Sequence, residues 1–267
     1  MPDSGIDTLA PVAGLRVGLA DGVLSVIIDR PESLNSLTTS VLAGIADAME
    51  WAATDPRVKL VRIGGTGRGF CSGAGMSADD VAGGDTGTAT ITEINRTVRA
   101  ITALPHPVVA VVQGPAAGVG VSLALASDLV LASDKAFFIL AFTKIGLMPD
   151  GGASALVAAA AGRIRAMRMA LLPERLPAAE ALSWGLVSAV YPDEDFEAEV
   201  DRVLSRLAAG PAVAFAKTKD AINAASLTEL EPTLKREFDG QVTLLGSPDF
   251  AEGARAFQQR RSPVFTD

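Results

Sequence analysis

The stretch PVVAVVQGPAAGVGVSLALASDLVLAS, residues 107–133, decides how the rest of the chain is read. Its opening, 108–112, is a short apolar and largely β-branched run, the pattern of a buried strand. Gln113, Gly114, Pro115 and Gly118 then break the chain into a turn. An apolar run ending at Ala126 suits a buried helix, and 129–132 reads as another strand. Strand, helix, strand is the repeating unit of an α/β fold with mainly parallel pairing. The uncharged segment 108–126 is long enough to resemble a membrane span, but glycines and a proline at its middle favour the strand–turn–helix reading.

Working outward, 24–28 is apolar and β-branched and runs into a turn at Asp29-Arg30-Pro31. The Thr38-Thr39-Ser40 cluster offers helix N-caps, and Val41, Leu42, Ile45, Ala48, Met49 and Ala52 follow at helical spacing. A second strand at 58–63 leads into GGTGRGFCSGAGM at 64–76. Residues 82–90, with no apolar anchor, read as a loop, and a helix over 92–103 is stopped by Pro105. Beyond about residue 196 strand signals disappear, and helical patterns at 196–208, 211–225, 227–245 and 248–260 predict a helical C-terminal region.

Composition narrows the function classes. With 49% apolar and 20% charged residues the chain has the balance of an ordinary globular protein. A formal charge of −8 argues against sequence-independent nucleic-acid binding, which needs Lys/Arg clusters. One cysteine, Cys71, rules out an internal disulfide framework and a cysteine metal cluster. The opening MPDSGIDTLAP has no basic start followed by an apolar run, so no signal peptide is expected and the expected location is the cytoplasm.

Familiar catalytic and metal signatures are missing. The one histidine, His106, sits between two prolines and reads as structural or surface. HExxH, paired CxxC and EF-hand spacings are absent, so no metal is expected, and neither glycine run completes a phosphate- or dinucleotide-binding motif. Two glycine-rich strand-to-loop transitions remain, at 64–75 and 113–120. Each presents free backbone N–H groups, and a helix N-terminus adds a dipole that favours negative charge. Facing each other, such loops would make an oxyanion hole for an enolate or a tetrahedral intermediate. Glycines that merely make tight turns would give the same composition.

The wording of those loops resembles the crotonase (enoyl-CoA hydratase/isomerase) superfamily. The matching stretches are RPESLNSL at 30–37, GTGRGFCSGAGMS at 65–77, the opening stretch at 107–133, KIGLMPDGG at 144–152, AAEALSWGLVSAV at 178–190 and EGARAFQQRRSPVF at 252–265. The resemblance implies an α/β fold, a ClpP-like spiral of ββα turns over 1–195. It also implies a helical region over 196–267 that assembles homotrimers or dimers of trimers. The implied ligand is an acyl-CoA thioester, with coenzyme A part of the substrate and no separate cofactor. Its carbonyl oxygen would be held by the N–H groups of Ala74 and Val119, and Ala74, Gly75, Met76 and Ser77 would line the thioester and pantetheine. Phe257 and Arg260 match residues that approach the adenine and phosphates. The family usually has three glycines where this chain has Gly118-Val119-Gly120. A backbone donor survives the change, but a β-branched side chain disfavours positive φ.

Hydratases of the family use two glutamates, and the matching positions here are Ser122 and Phe142. Asp150 remains as the acidic candidate. KIGLMPDGG and the preceding FILAF look more like the Δ3,Δ2-enoyl-CoA isomerases and oxepin-CoA-forming isomerases, which place an acid at that position. An enoyl-CoA isomerase with one acidic base is therefore expected, with Phe142 lining the substrate. The alternatives are a hydratase or another crotonase-fold lyase acting through Asp150, or a silent acyl-CoA-binding homologue. An Asp before Gly-Gly and an alanine-rich segment also suits a helix N-cap, so Asp150 carries a structural reading beside the catalytic one.

Overall fold

A computed structural model describes residues 9–75 and 87–266. Strands β1 (Leu15–Ala20) and β2 (Val23–Ile28) form a hairpin. Its turn residues, Asp21 and Gly22, both have positive φ, as an Asp-Gly hairpin turn requires. Further along come β3 (Leu60–Gly65), β4 (Val108–Val112), the two-residue β5 (Ala116–Ala117) and β6 (Leu129–Ser133). The last strands are β7 (Phe137–Ile139), β8 (Leu176–Pro177) and β9 (Ala189–Tyr191). The main sheet has six strands in the order β1-β2-β3-β4-β6-β9, and a second sheet has the order β5-β7-β8. From β2 onward the main sheet is parallel. Helices Thr39–Ala52, Thr88–Ala103 and Val119–Ala126 make its first three crossovers.

Strand β4 explains why its sequence is apolar without interruption. Val108, Ala110 and Val112 join the large core on one face, while Val109 and Val111 join a smaller core on the other. Both faces are covered, so no polar alternation is needed. The smaller core is completed by Phe196, Val200 and Leu204, on the helix Phe196–Ala208. The segment that resembled a membrane span is thus β4, β5 and a short helix; no helix is long and apolar enough to cross a membrane among the described residues.

Several expected boundaries shift. The helix expected over 92–103 begins at Thr88, so 88–90 belong to it, while 82–86 lie outside the described residues. Strands β1, β5, β7, β8 and β9 are additions, as are the helices Arg163–Leu171 and Ala178–Trp184. After Tyr191 come the helices Phe196–Ala208, Ala212–Ser226, Leu230–Leu245 and Pro248–Gln258. The last helix packs on the 3-10 turn Phe142–Ile145 at the closest range a glycine allows: a Cβ on Gly253 would lie 2.5 Å from Ile145 backbone atoms.

Close backbone packing also fixes the Val119–Ala126 helix. A Cβ on Gly120 would stand 2.6 Å from the Cys71 carbonyl oxygen. Gly120→Ala should therefore destabilise the protein by ~1–3 kcal/mol through overpacking, read as a lower thermal unfolding midpoint. Gly18 is the control, since a Cβ there would meet nothing within 4 Å, and Gly18→Ala should leave the midpoint unchanged or slightly higher.

Candidate active site

A cleft of about 470 Å³ brings both glycine loops together and is lined by Ala74, Val119, Phe142, Lys144, Asp150 and Phe257 among others. The first loop is held from behind by two side-chain amides. Asn35 Nδ2 donates to the carbonyls of Thr66 and Gly69, and Gln113 Nε2 donates to those of Gly65 and Gly69. Leu37 then pairs with Ala74 as a parallel bridge: Leu37 N–H donates to Gly73 O, and Gly75 N–H donates to Leu37 O. In a parallel ladder the residue between the two bonded neighbours turns its own N–H away from the partner. Among the described residues the Ala74 N–H has no acceptor.

The second loop ends at Gly118, whose φ of 53° and ψ of −123° suit glycine alone. Val119 follows as the first residue of its helix, where the N–H has no intrahelical acceptor. The valine needs no positive φ, because that conformation falls on Gly118, and its side chain is buried in the large core. The β-branched residue is thus compatible with a free N–H. The loops meet through their glycines: a Cβ on Gly73 would lie 3.0 Å from Ala117 O and 3.7 Å from Gly118 Cα.

Asp150 is the one acidic residue among the described residues lining the cleft, and it also lines a smaller chamber of about 50 Å³ formed with Ile91, Ile94, Gln241 and Phe250. The residue is 5% exposed. Gln241 Nε2 donates to Oδ2 at 2.9 Å, and Oδ1 is buried without a hydrogen-bond partner. Burial pushes the Asp150 carboxyl up to about 7; the Gln241 hydrogen bond pulls it down, and the neighbouring Glu237 pushes it up again. Its main-chain carbonyl accepts from Ser122 Oγ at 2.9 Å and from Ala153 N–H.

The N-cap reading of Asp150 does not hold. The helix Ala153–Ala161 receives no capping bond from the Asp150 side chain. Glu237, from a helix far along the chain, takes that place: its carboxylate accepts from Gly152 N–H at 2.6 Å and Ser154 N–H at 2.9 Å. An anion at a helix N-terminus is favoured by the dipole and the unpaired N–H groups. Burial raises the Glu237 pKa, and hydrogen bonds from the Ser154 side chain and from the two backbone N–H groups hold it back.

The other expected residues divide. Phe142 is buried against the Gly118 loop, and the exposed Phe257 reaches the cleft from the last helix. Gly75 is spent on the Leu37 bridge, and Arg260 is exposed, with positive φ, and does not line the cleft. Met76 and Ser77 lie outside the described residues. His106 is bonded to the Ala52 backbone, away from the cleft, and burial lowers its pKa. Cys71 is fully buried, which pushes its thiol up to about 12. Sequence reasoning missed Lys144, Glu237 and Gln241. For the last two a signal existed: with Leu230 and Leu234 they form the buried stripe of the helix Leu230–Leu245, and polar residues on such a stripe need partners.

The family model described as enoyl-CoA hydratase/isomerase matches residues 18–267. A protein of Escherichia coli (strain K12) described as 1,2-epoxyphenylacetyl-CoA isomerase is 37% identical, over 92% of this chain and 95% of its own. A trans-2-decenoyl-[acyl-carrier-protein] isomerase of Streptococcus mutans is 33% identical, over 92% and 95%. A crystal structure of an enoyl-CoA hydratase from Mycobacterium avium subsp. paratuberculosis K-10 is 75% identical, covers 96% of this chain and 100% of that one, and superposes with a TM-score of 0.90.

The raised pKa of Asp150 has a consequence for stability. Between the ordinary value of 3.8 and about 7 the folded state binds more protons than the unfolded one, so stability falls as pH rises through that window. Asp150→Asn removes this dependence. Its stability relative to the parent protein should improve by up to ~1.4 kcal/mol per pH unit from about pH 4 to about pH 7, then stay level, in denaturant titrations across pH.

Proposed function

The chain belongs to the enoyl-CoA hydratase/isomerase family, and on that premise we propose that it is an enoyl-CoA isomerase using a single carboxyl base. The observation that carries the reading is Asp150, the one acid among the described residues lining a cleft that also presents two N–H groups without acceptors. The thioester oxygen of a 3-enoyl-CoA is taken to sit on the N–H groups of Ala74 and Val119. The Asp150 carboxylate removes a proton from C2, and the C–H electrons move through C2–C1 onto that oxygen as a dienolate. The two N–H donors stabilise the developing charge, each contributing ~3 kcal/mol. The same carboxyl then returns the proton to C4, leaving the double bond between C2 and C3. A pKa near 7 suits a group that must act as base and then as acid.

Hydration is disfavoured by the side chains present. Phe142 has no exchangeable proton, and the buried Ser122 hydroxyl is committed to the Asp150 carbonyl. Carbons beyond C4 would extend into the apolar chamber behind Asp150. The CoA portion would leave past Phe257 and Lys144, whose ammonium suits a phosphate. Isomerases among the relatives support this reaction class. Assembly as a homotrimer or a dimer of trimers is the arrangement we expect; the exposed row Ile164, Met167 and Leu171 supports contact between copies.

Two measurements test the reading. Conversion of 3-hexenoyl-CoA to its 2-enoyl isomer should proceed with a kcat/KM that rises with pH through about 7, as the carboxylate form accumulates. Asp150→Asn should fold and lose activity by roughly 10²–10⁴-fold, together with exchange of C2 protons in deuterated water. A folded variant with full isomerisation would sink the proposal, and so would efficient hydration of crotonyl-CoA without isomerisation.

A further inference from the structure

We propose that Gln241 is the positioning residue of the Asp150 carboxyl, fixing one oxygen so that the other alone exchanges protons with substrate. The inference rests on the isomerase reading above and assigns a role to a helix far from the glycine loops.

The buried positions of Leu230–Leu245 are Leu230, Leu234, Glu237 and Gln241, spaced four, three and four residues apart as one face of a helix. The two polar members both serve the turn at 150–154. Glu237 binds the N–H groups of Gly152 and Ser154 and so anchors the turn. Gln241, one helical turn further, donates Nε2 to Asp150 Oδ2. The arrangement divides the carboxyl: Oδ2 is held, while Oδ1 is buried and has no donor. An orphaned buried oxygen carries an energetic penalty, and here it belongs to the acid that lines the cleft.

An amide suits a carboxyl that changes charge during turnover. With the proton away, Oδ2 accepts as part of a carboxylate. When Oδ1 gains the substrate proton, Oδ2 becomes the acid's carbonyl oxygen and still accepts the same N–H. The bond therefore survives both states. An arginine or lysine would favour only the charged one. A fixed Oδ2 leaves Oδ1 as the atom that reaches C2 and then C4, as positional precision in proton transfer requires. The charged group that acts on the carboxyl is Glu237, on the same helix face as Gln241, and Lys144 lines the same cleft.

Gln241→Met removes the donor at similar volume and is the first variant to make. In the substrate-free protein, the infrared signal of the protonated Asp150 carboxyl, identified by its loss in Asp150→Asn, should titrate about one pH unit higher in Gln241→Met. The acid limb of kcat/KM for 3-hexenoyl-CoA should move in the same direction. At pH above both midpoints kcat should stay at least about tenfold low with KM little changed, because the misplaced oxygen is not cured by ionisation. Should Gln241→Met fail to fold, Gln241→Asn withdraws the N–H by one methylene while keeping a polar amide, with the same shifts expected. A folded variant of either kind whose carboxyl titration and kcat match the parent protein overturns the inference. The two readings fail separately. A parent protein that does not isomerise defeats the functional proposal while the infrared titration still decides Gln241; loss of turnover in Asp150→Asn alone defeats only the role of Gln241.

Discussion

Two backbones approach each other at Gly73 and Gly118 with no side chain between them, and the site depends on that approach. A Cβ on Gly118 would lie 3.8 Å from Gly73 Cα and 3.6 Å from the Phe142 ring, while one on Gly73 would already crowd Ala117. Positive φ at both glycines turns each chain just ahead of Ala74 and Val119, two cleft-lining residues whose N–H groups have no acceptor among the described residues. Asn35 and Gln113 make this possible from below by satisfying the carbonyls of the first loop, which would otherwise be buried without partners. Gly120 lets the helix that starts at Val119 pack directly on Cys71. Two backbone N–H groups, those of Ala74 and Val119, are thus left without acceptors among the described residues that line the cleft.

Against this rigid pair the acid is held by a separate device. Asp150 and Glu237 are both buried, an arrangement that burial alone opposes. Glu237 is compensated by two N–H bonds and the helix dipole. Asp150 receives one hydrogen bond and stays near the point where it can give or take a proton. Had Asp150 capped its own helix, its carboxylate would have been stabilised and its basicity lost. Delegating the cap to another helix keeps the acid available.

The amino-acid sequence revealed the parts governed by local pattern. The apolar run of β4 and the breakers after it predicted the strand–turn–helix at the heart of the fold, and the helix beginning near Thr39 was marked by its cap, where Thr38 Oγ1 accepts from Val41 N–H. Strand β1 was missed although Asp21-Gly22 is a strong hairpin signal, because its alternating LRVGLA is only half-buried. The helix Arg163–Leu171 escaped for a different reason: it buries only Met169 and so shows no clear apolar face. At the site Asp150 and the two loops were legible. Their partners were not, since the Gly152–Glu237 bond spans 85 residues and no local spacing encodes it.

Val119 shows how the chemistry of such a site is separable from its side chains. A loop that usually carries three glycines tolerates a β-branched residue in the middle because the strained torsion belongs to its neighbour and the new Cβ points into the core. The N–H at that position is unchanged, so the oxyanion contact proposed for it asks nothing of the side chain. Acid–base chemistry has no such tolerance: a phenylalanine or a committed serine in place of an acid removes a proton carrier outright. Under the isomerase reading proposed above, the relocated acid is a buried carboxyl that faces little water, a setting that suits moving a proton along a substrate better than activating water.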